Sequence, residues 1–241
     1  MAFKTMDMIG THWKVREQEA PGMWQDYEFG VPGKYLECDE HFHRYAAADW
    51  TVTAAGGGTA ALATSAPCVG GVLLVTTANA DDDLVSLQRV GHAFVPTAGT
   101  KIYFEARMQA SEATSLDWFC GLAITDTTPL SIADCIMFQK DDGDTQIDFK
   151  TIASAASSST DNNIGTFAAA TYLKVGFKIT GTGLVEYYLN GVRKGSFSGN
   201  IPAVPLRITL GHQDGDTGAA LGALTSSWDF VIGCQEIPSY V

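Results

Sequence analysis

Positive charge is scarce in this chain: 15 Lys and Arg stand against 27 Asp and Glu in 241 residues, a formal net charge of −12. No run of basic residues forms a stripe, so no field gathers phosphate backbones, and nucleic acid is not expected as a partner. Long apolar runs are missing too. None reaches the ~18 residues that a spanning helix requires, so no membrane partner is expected. The opening MAFKTMDMIG has one early Lys but not the apolar stretch of roughly 7–15 residues that marks a secretory leader. A chain made and assembled in a cytoplasm is the expectation. Paired cysteines are also absent. Cys38, Cys68, Cys120, Cys135 and Cys234 are odd in number and widely spaced, with no Cys-x-x-Cys, which argues against a disulfide framework, a redox pair or a thiolate metal knuckle. They read as free thiols, with Cys120 and Cys135 acting as small hydrophobes inside apolar runs.

What is present points to strands. Charged residues are only 17% of the chain and hydrophobic ones 46%, ample for a core and poor for long surface helices. In YLKVGFKITGTGLVEYYLNGVRKG, at 172–195, three strand-like runs are divided by two turns. Leu173, Val175, Phe177 and Ile179 alternate with Lys174, Gly176, Lys178 and Thr180, so one face is buried and the other wet. Val185, Tyr187 and Leu189 alternate in the same way up to Asn190-Gly191, a pair suited to the positive φ angles of a type I′ hairpin. KIYFEARMQ at 101–109 predicts Ile102, Phe104, Ala106 and Met108 facing inward. DWFCGLAIT at 117–125 is apolar on both faces, as a central strand is. WTVTA at 50–54 and TAALAT at 59–64 read as two strands around Gly56-Gly57-Gly58, and LRITLGH at 206–212 and SSWDFVIGC at 226–234 as the last strands. The Ser/Ala/Asn-rich segment at 153–163 reads as a mobile loop. Together these predict an all-β, antiparallel β-sandwich over residues 47–241.

Residues 1–46 are different in kind. They are richer in charge and aromatics, and Pro21 and Pro32 interrupt them, which predicts an extended N-terminal arm. Trp13, Trp24 and Tyr27 lead a set of rings too large to leave in water, and they either pack back on the sandwich or anchor a neighbouring subunit.

The order of the strands resembles the concanavalin-like jelly rolls that include laminin-G-type modules and legume-type lectins, most of all in the tyrosine-rich run into Leu189-Asn190-Gly191. ADWTVTAAGGGTAALAT at 48–64, CGLAITDTTPL at 120–130 and FQKDDGDTQIDF at 138–149 resemble phage particle proteins of this fold, of the kind that decorate tailed-phage heads. The resemblance covers residues 48 to 234 and consists of strand-and-turn patterns with no catalytic signature. It implies a virion structural protein: a capsid decoration, or cement, protein bound to the major capsid protein on the capsid surface, as a homo-oligomer for which a trimer is the natural stoichiometry. Trp13, Trp24 and Tyr27 would then be the partner-binding anchors. The alternative is a glycan-binding module of a tail or fibre adhesin, or a lectin, with Trp118, Tyr188 and Trp228 as stacking platforms.

No enzyme is expected from the motifs. Hydrolysis in the glucanase branch of this superfold uses Glu-x-Asp-x-x-Glu, and the nearest run, Glu37-Cys38-Asp39, reaches Phe42 where the last acid belongs. Carboxylates converging from separate strands would escape such a search. No cofactor is expected and no metal motif is complete. Acidic tips at 81–83, 141–144 and 214–216 are turn-like, with Asp141, Asp142 and Asp144 as weak calcium candidates. Cys38, His41 and His43 match no zinc spacing.

Overall fold

A computed structural model describes residues 4–9, 12–17, 22–29, 31, 33–64, 70–155, 157–215 and 221–238. The first strands are β1 (Lys4–Ile9), β2 (His12–Glu17), β3 (Glu28–Phe29) and β4 (Tyr35–Glu40). Next come β5 (Trp50–Ala54), β6 (Thr59–Leu62), β7 (Leu73–Thr76), β8 (Leu84–Arg89), β9 (Lys101–Ala110) and β10 (Leu116–Ala123). The hairpins of the second half use β11 (Cys135–Lys140), β12 (Gln146–Ala153), β13 (Ser157–Thr166), β14 (Leu173–Thr180), β15 (Leu184–Leu189) and β16 (Val192–Phe197). β17 (Arg207–Asp214) and β18 (Thr225–Glu236) close the chain. The helical segments described are 3₁₀ turns at Ala47–Asp49 and Pro129–Ser131.

Two antiparallel sheets face each other. One has seven strands in the order β13-β12-β11-β10-β17-β8-β5; the other runs β16-β15-β14-β9-β18-β7-β6, with β4 also paired to β18. This is the all-β sandwich that the alternation predicts. On β9, β14 and β15 the predicted inward residues are buried in the inter-sheet core, while Tyr103, Lys178 and Tyr188 of the opposite face are buried too, and Asn190 and Gly191 carry φ of 49° and 80°, as a type I′ turn requires. Strand β10, apolar on both faces, is fourth of seven in its sheet. The sheets meet through a ring cluster in which Phe149 and Phe138 from the seven-stranded sheet pack against Phe177, Tyr187 and Phe197 from the other.

Two local expectations are revised. Residues 153–163 are not a loop throughout, because β13 begins at Ser157 and pairs with β12 as an edge strand. An edge strand needs backbone partners on one side only, and its sole contribution to the core cluster is Ile164, so a polar composition suffices. Strands β5 and β6 form as expected on either side of Gly56-Gly57-Gly58, and the turn between them carries the chain from one sheet to the other. Within the predicted arm, β4 is hydrogen-bonded to β18, whereas β1, β2 and β3 form a separate three-stranded sheet.

The described thiols, Cys38, Cys120, Cys135 and Cys234, are free and buried. Burial pushes Cys38 up to about 11 and Cys135 and Cys234 to about 12, with Cys120 higher still, so all four remain protonated packing groups at neutral pH. Cys68 lies outside the described residues.

Candidate functional site

The seven-stranded sheet turns Val85, Leu87, Cys120, Leu122, Ile136 and Phe138 into the core, so the intervening residues define its other face. Near the β5 edge of that face lies a polar pocket of about 360 Å³, lined by Thr51, Thr53, Gln88, Thr125, Asp126 and Thr127. Its floor is set by strand register, which places Thr51 opposite Gln88 and Thr53 opposite Ser86. Its wall is the chain leaving β10. Gln88, only 1% exposed, pins that wall. Its Nε2 donates to Ile124 O at 2.9 Å and to Thr209 Oγ1 at 3.1 Å, while its Oε1 accepts Asp126 N–H at 2.9 Å. Asp126 Oδ1 accepts from the Thr128 hydroxyl at 2.7 Å and the Thr128 N–H at 2.8 Å, and these bonds hold the carboxyl below its ordinary range. It is therefore ionised at neutral pH. The lining contains hydroxyls, one amide and one carboxylate, with no Lys or Arg.

Farther along the same face Asp117 on β10 accepts the Asp142 N–H at 2.7 Å. Burial first, then the Asp142 and Asp141 carboxylates, pushes its carboxyl up to about 6. A carboxylic acid that retains its proton near pH 6 can donate one to an oxygen in a polar substrate.

The residues singled out in the sequence lie elsewhere. Trp118 and Trp228 are 0% exposed in the inter-sheet core, so neither offers a ring face to a sugar. In strands of this sandwich an alternating position faces either the core or solvent, and both tryptophans fall on the core side. Tyr188 does face away from the core, yet it is covered by residues 22–29 and packs with Met23 and Tyr27. Those arm residues lie on the chain's own eight-stranded sheet. Trp24 stacks on Tyr103 with centroids 5.3 Å apart and an interplanar angle of 11°, and its Nε1 donates to Glu105 Oε2 at 3.4 Å. Tyr27 donates to Glu37, and Asp26 pairs with Lys101 and Lys178, each at 3.8 Å. A notch admits this strap, for a Cβ at Gly176 would lie 2.8 Å from Met23 Sδ. Trp13 stands in β2 opposite Met8 and Phe29, and its side chain lies outside what the structure describes.

A Trp24→Ala chain should therefore lose about 2 kcal/mol of stability, because the stack and the burial of a partly covered indole go together. Chemical denaturation reads this directly; an unmoved midpoint would return the ring to a partner-facing role.

The calcium candidates serve as turn residues. Asp144 accepts the Gln146 N–H at 2.7 Å, Asp141 accepts from Gln139, and Asp142 approaches Asp117 through its backbone N–H. Among the described residues no group of three or more His, Cys, Asp or Glu side chains is placed to hold a metal ion. Sequence reasoning missed the pocket. Its threonines are unremarkable singly, and its walls come from segments more than thirty residues apart, roughly, which only strand register brings together.

No family model matches the sequence, and no curated protein matches it. Solved structures do match the fold. An endo-1,3-β-glucanase from Streptomyces sioyaensis superposes with a TM-score of 0.59 at 14% identity, over 87% of this chain and 99% of that one. A prokaryotic β-1,3-1,4-glucanase (lichenase) derived from a mouse hindgut metagenome gives 0.57 at 15%, over 82% and 98%. The endo-β-1,4-glucuronan lyase from the fungus Trichoderma reesei gives 0.57 at 10%, over 82% and 94%. The class is thus the concanavalin-like jelly-roll sandwich, as the strand order suggested.

Two corrections follow. The expectation of a protein without catalysis is overturned, since the matching sandwiches include glucanases and a lyase. A missing contiguous acid motif was its main support, and carboxylates on separate strands need no such motif. The likeness to particle proteins, in turn, has no counterpart among these structures.

Proposed function

We propose that this chain is a carbohydrate-recognising jelly roll that takes glycans on the outer face of its seven-stranded sheet. The observation that carries this reading is the hydroxyl- and carboxylate-lined pocket at the β5 edge of that face. Sugars are recognised by convergent polar groups of this kind within a preformed concave site. The glucanases and lyase of the same fold support it as company. Turnover is part of the reading, because Asp117, buried enough to hold its proton to about pH 6, stands on the same face.

The test is a polysaccharide and oligosaccharide array, followed by assays for new reducing ends and for unsaturated products on whatever binds. Retention of a defined glycan set supports the reading, and silence across neutral and acidic glycans overturns it.

A second reading keeps the finer expectation from the sequence. A cement protein seated on a major capsid protein, as an oligomer on a capsid surface, is favoured by one observation, that β1–β3 form a sheet of their own, with no strand pairing to the sandwich among the described residues. Copy number in purified particles separates the two: a simple ratio to the shell protein supports decoration, whereas absence leaves glycan recognition.

A further inference from the structure

Resting on the glycan reading, we propose that the pocket between β5, β8 and residues 125–127 is a subsite for one end of a neutral glycan, a mono- or disaccharide unit, and that it rejects uronates.

Size sets the first limit. About 360 Å³ is near the lower end of the roughly 300–1,000 Å³ typical of small-ligand sites, which suits a short sugar segment and no larger group. Charge sets the second. Asp126 is held ionised by the two bonds from Thr128, and both of these fall on Oδ1. Asp126 lines a pocket whose other lining groups are Thr51, Thr53, Thr125, Thr127 and the spent amide of Gln88. A sugar hydroxyl donates to such a carboxylate in a charge-assisted bond, and the threonine hydroxyls donate or accept as the ring demands. A uronate carboxylate would instead meet Asp126 with no lining cation to offset the repulsion, on a protein already at −12. The sheet beneath adds a further polar group. Ser86, directly across from Thr53, has a buried hydroxyl with no hydrogen-bond partner among the described residues.

Rigidity comes from Gln88. Its three bonds fasten residues 124–126 to β8 and β17, so the wall is in place before a ligand arrives. Gln88 is accordingly a positioning residue, while Asp126 and the threonines are the groups that would touch the sugar.

The experiment titrates the intact protein with laminaribiose and cellobiose as neutral probes and with glucuronic acid as the acidic one, by calorimetry. The same titrations follow with Asp126→Asn and with Thr51→Tyr, an exposed floor position where a larger ring fills the cavity. Thermal melts check that both variants fold. The expected result is that a neutral disaccharide binds the wild type and weakens about tenfold or more in both variants, the loss that accompanies removal of a charged hydrogen bond or of the space itself. Equal or tighter binding of glucuronic acid would overturn the proposal while leaving glycan recognition intact. So would neutral binding that neither variant changes, which would place the sugar elsewhere on the face. Were Asp126→Asn to misfold, Thr51→Tyr alone decides, because its side chain is solvent-exposed. Failure of the whole array would remove the functional reading itself, an outcome distinct from either of these.

Discussion

A Phe149→Ala chain is expected to lose about 4 kcal/mol of folding stability, the scale of a large ring removed from a packed core. Phe149 is 0% exposed on β12 and sits at the seam of the sandwich. Its ring stacks on Tyr187 at 4.3 Å and meets Phe138 at 4.8 Å, Phe177 at 5.8 Å and Phe197 at 6.0 Å. Truncation therefore does more than reduce apolar area. It opens a void at the place where both sheets share one ring cluster, and the phenol of Tyr187, tied through its hydroxyl to Asp161, is held against collapsing into that void. Phe149→Leu should recover most of the loss because it refills much of the volume. Denaturant midpoints at constant m-value check both. A loss below ~1 kcal/mol for the alanine variant would mean that the cluster is not the seam of the fold.

Part of that cluster was legible in the sequence, because Phe177 and Tyr187 fall on the apolar phase of alternating strands, whereas the runs holding Phe138, Phe149 and Phe197 gave no face. Periodicity of two reports which side of a strand is apolar, and it served equally well for Ile102, Phe104, Ala106 and Met108. It does not report which strands become neighbours. Thr51 and Gln88 stand opposite each other only because β5 pairs with β8, a long-range register with no local signature. The pocket was invisible for that reason. The tryptophans failed differently. Trp118 and Trp228 are amphipathic rings in strong strands, equally suited by type to a core or to a sugar platform, and the face that each occupies depends on where its strand phase falls relative to the opposing sheet. Trp24 and Tyr27 obeyed the general expectation that large rings find a surface. The surface they found was the chain's own, prepared by Gly176 and Tyr103, which the sequence places about 75 residues or more downstream with nothing to connect them.

Acid should penalise the folded state at one buried imidazole. His212 is 0% exposed on the inner side of β17, its Nδ1 2.9 Å from Ser226 Oγ and its Nε2 3.2 Å from Leu224 O, and Ser226 Oγ also accepts the Trp228 indole N–H at 2.9 Å. With the Leu224 carbonyl as acceptor, the proton of the neutral ring sits on Nε2, leaving Nδ1 to accept from the Ser226 hydroxyl. Every polar atom of the Trp228–Ser226–His212–Leu224 chain is then satisfied with no charge present. A second ring proton would have to be buried as a cation, and that desolvation drives the His212 pKa down to about 4. The unfolded chain, with a histidine near 6.5, binds more protons at this site than the native state does between the two values, so the His212 contribution to stability falls as pH drops from about 6.5 to about 4, by roughly 3 kcal/mol. Asp117 works in the opposite direction. Its folded pKa of about 6 lies above the unfolded value, so its contribution is full at low pH and is lost as pH rises through 6; over the same window it offsets roughly 3 kcal/mol, most of the His212 effect, and leaves a net fall below about 1 kcal/mol. Replacing His212 with Gln isolates the imidazole: the variant is less stable than wild type at pH 7, because the Ser226 and Leu224 partners are imperfectly matched, but its stability should no longer fall between pH 6.5 and 4 and should instead follow the reversed slope of Asp117. Denaturant midpoints measured at half-unit pH steps on both chains decide it. A stability gap between the two chains that stays constant through that window, with the variant keeping the wild-type slope, would show that protonation of His212 does not oppose folding.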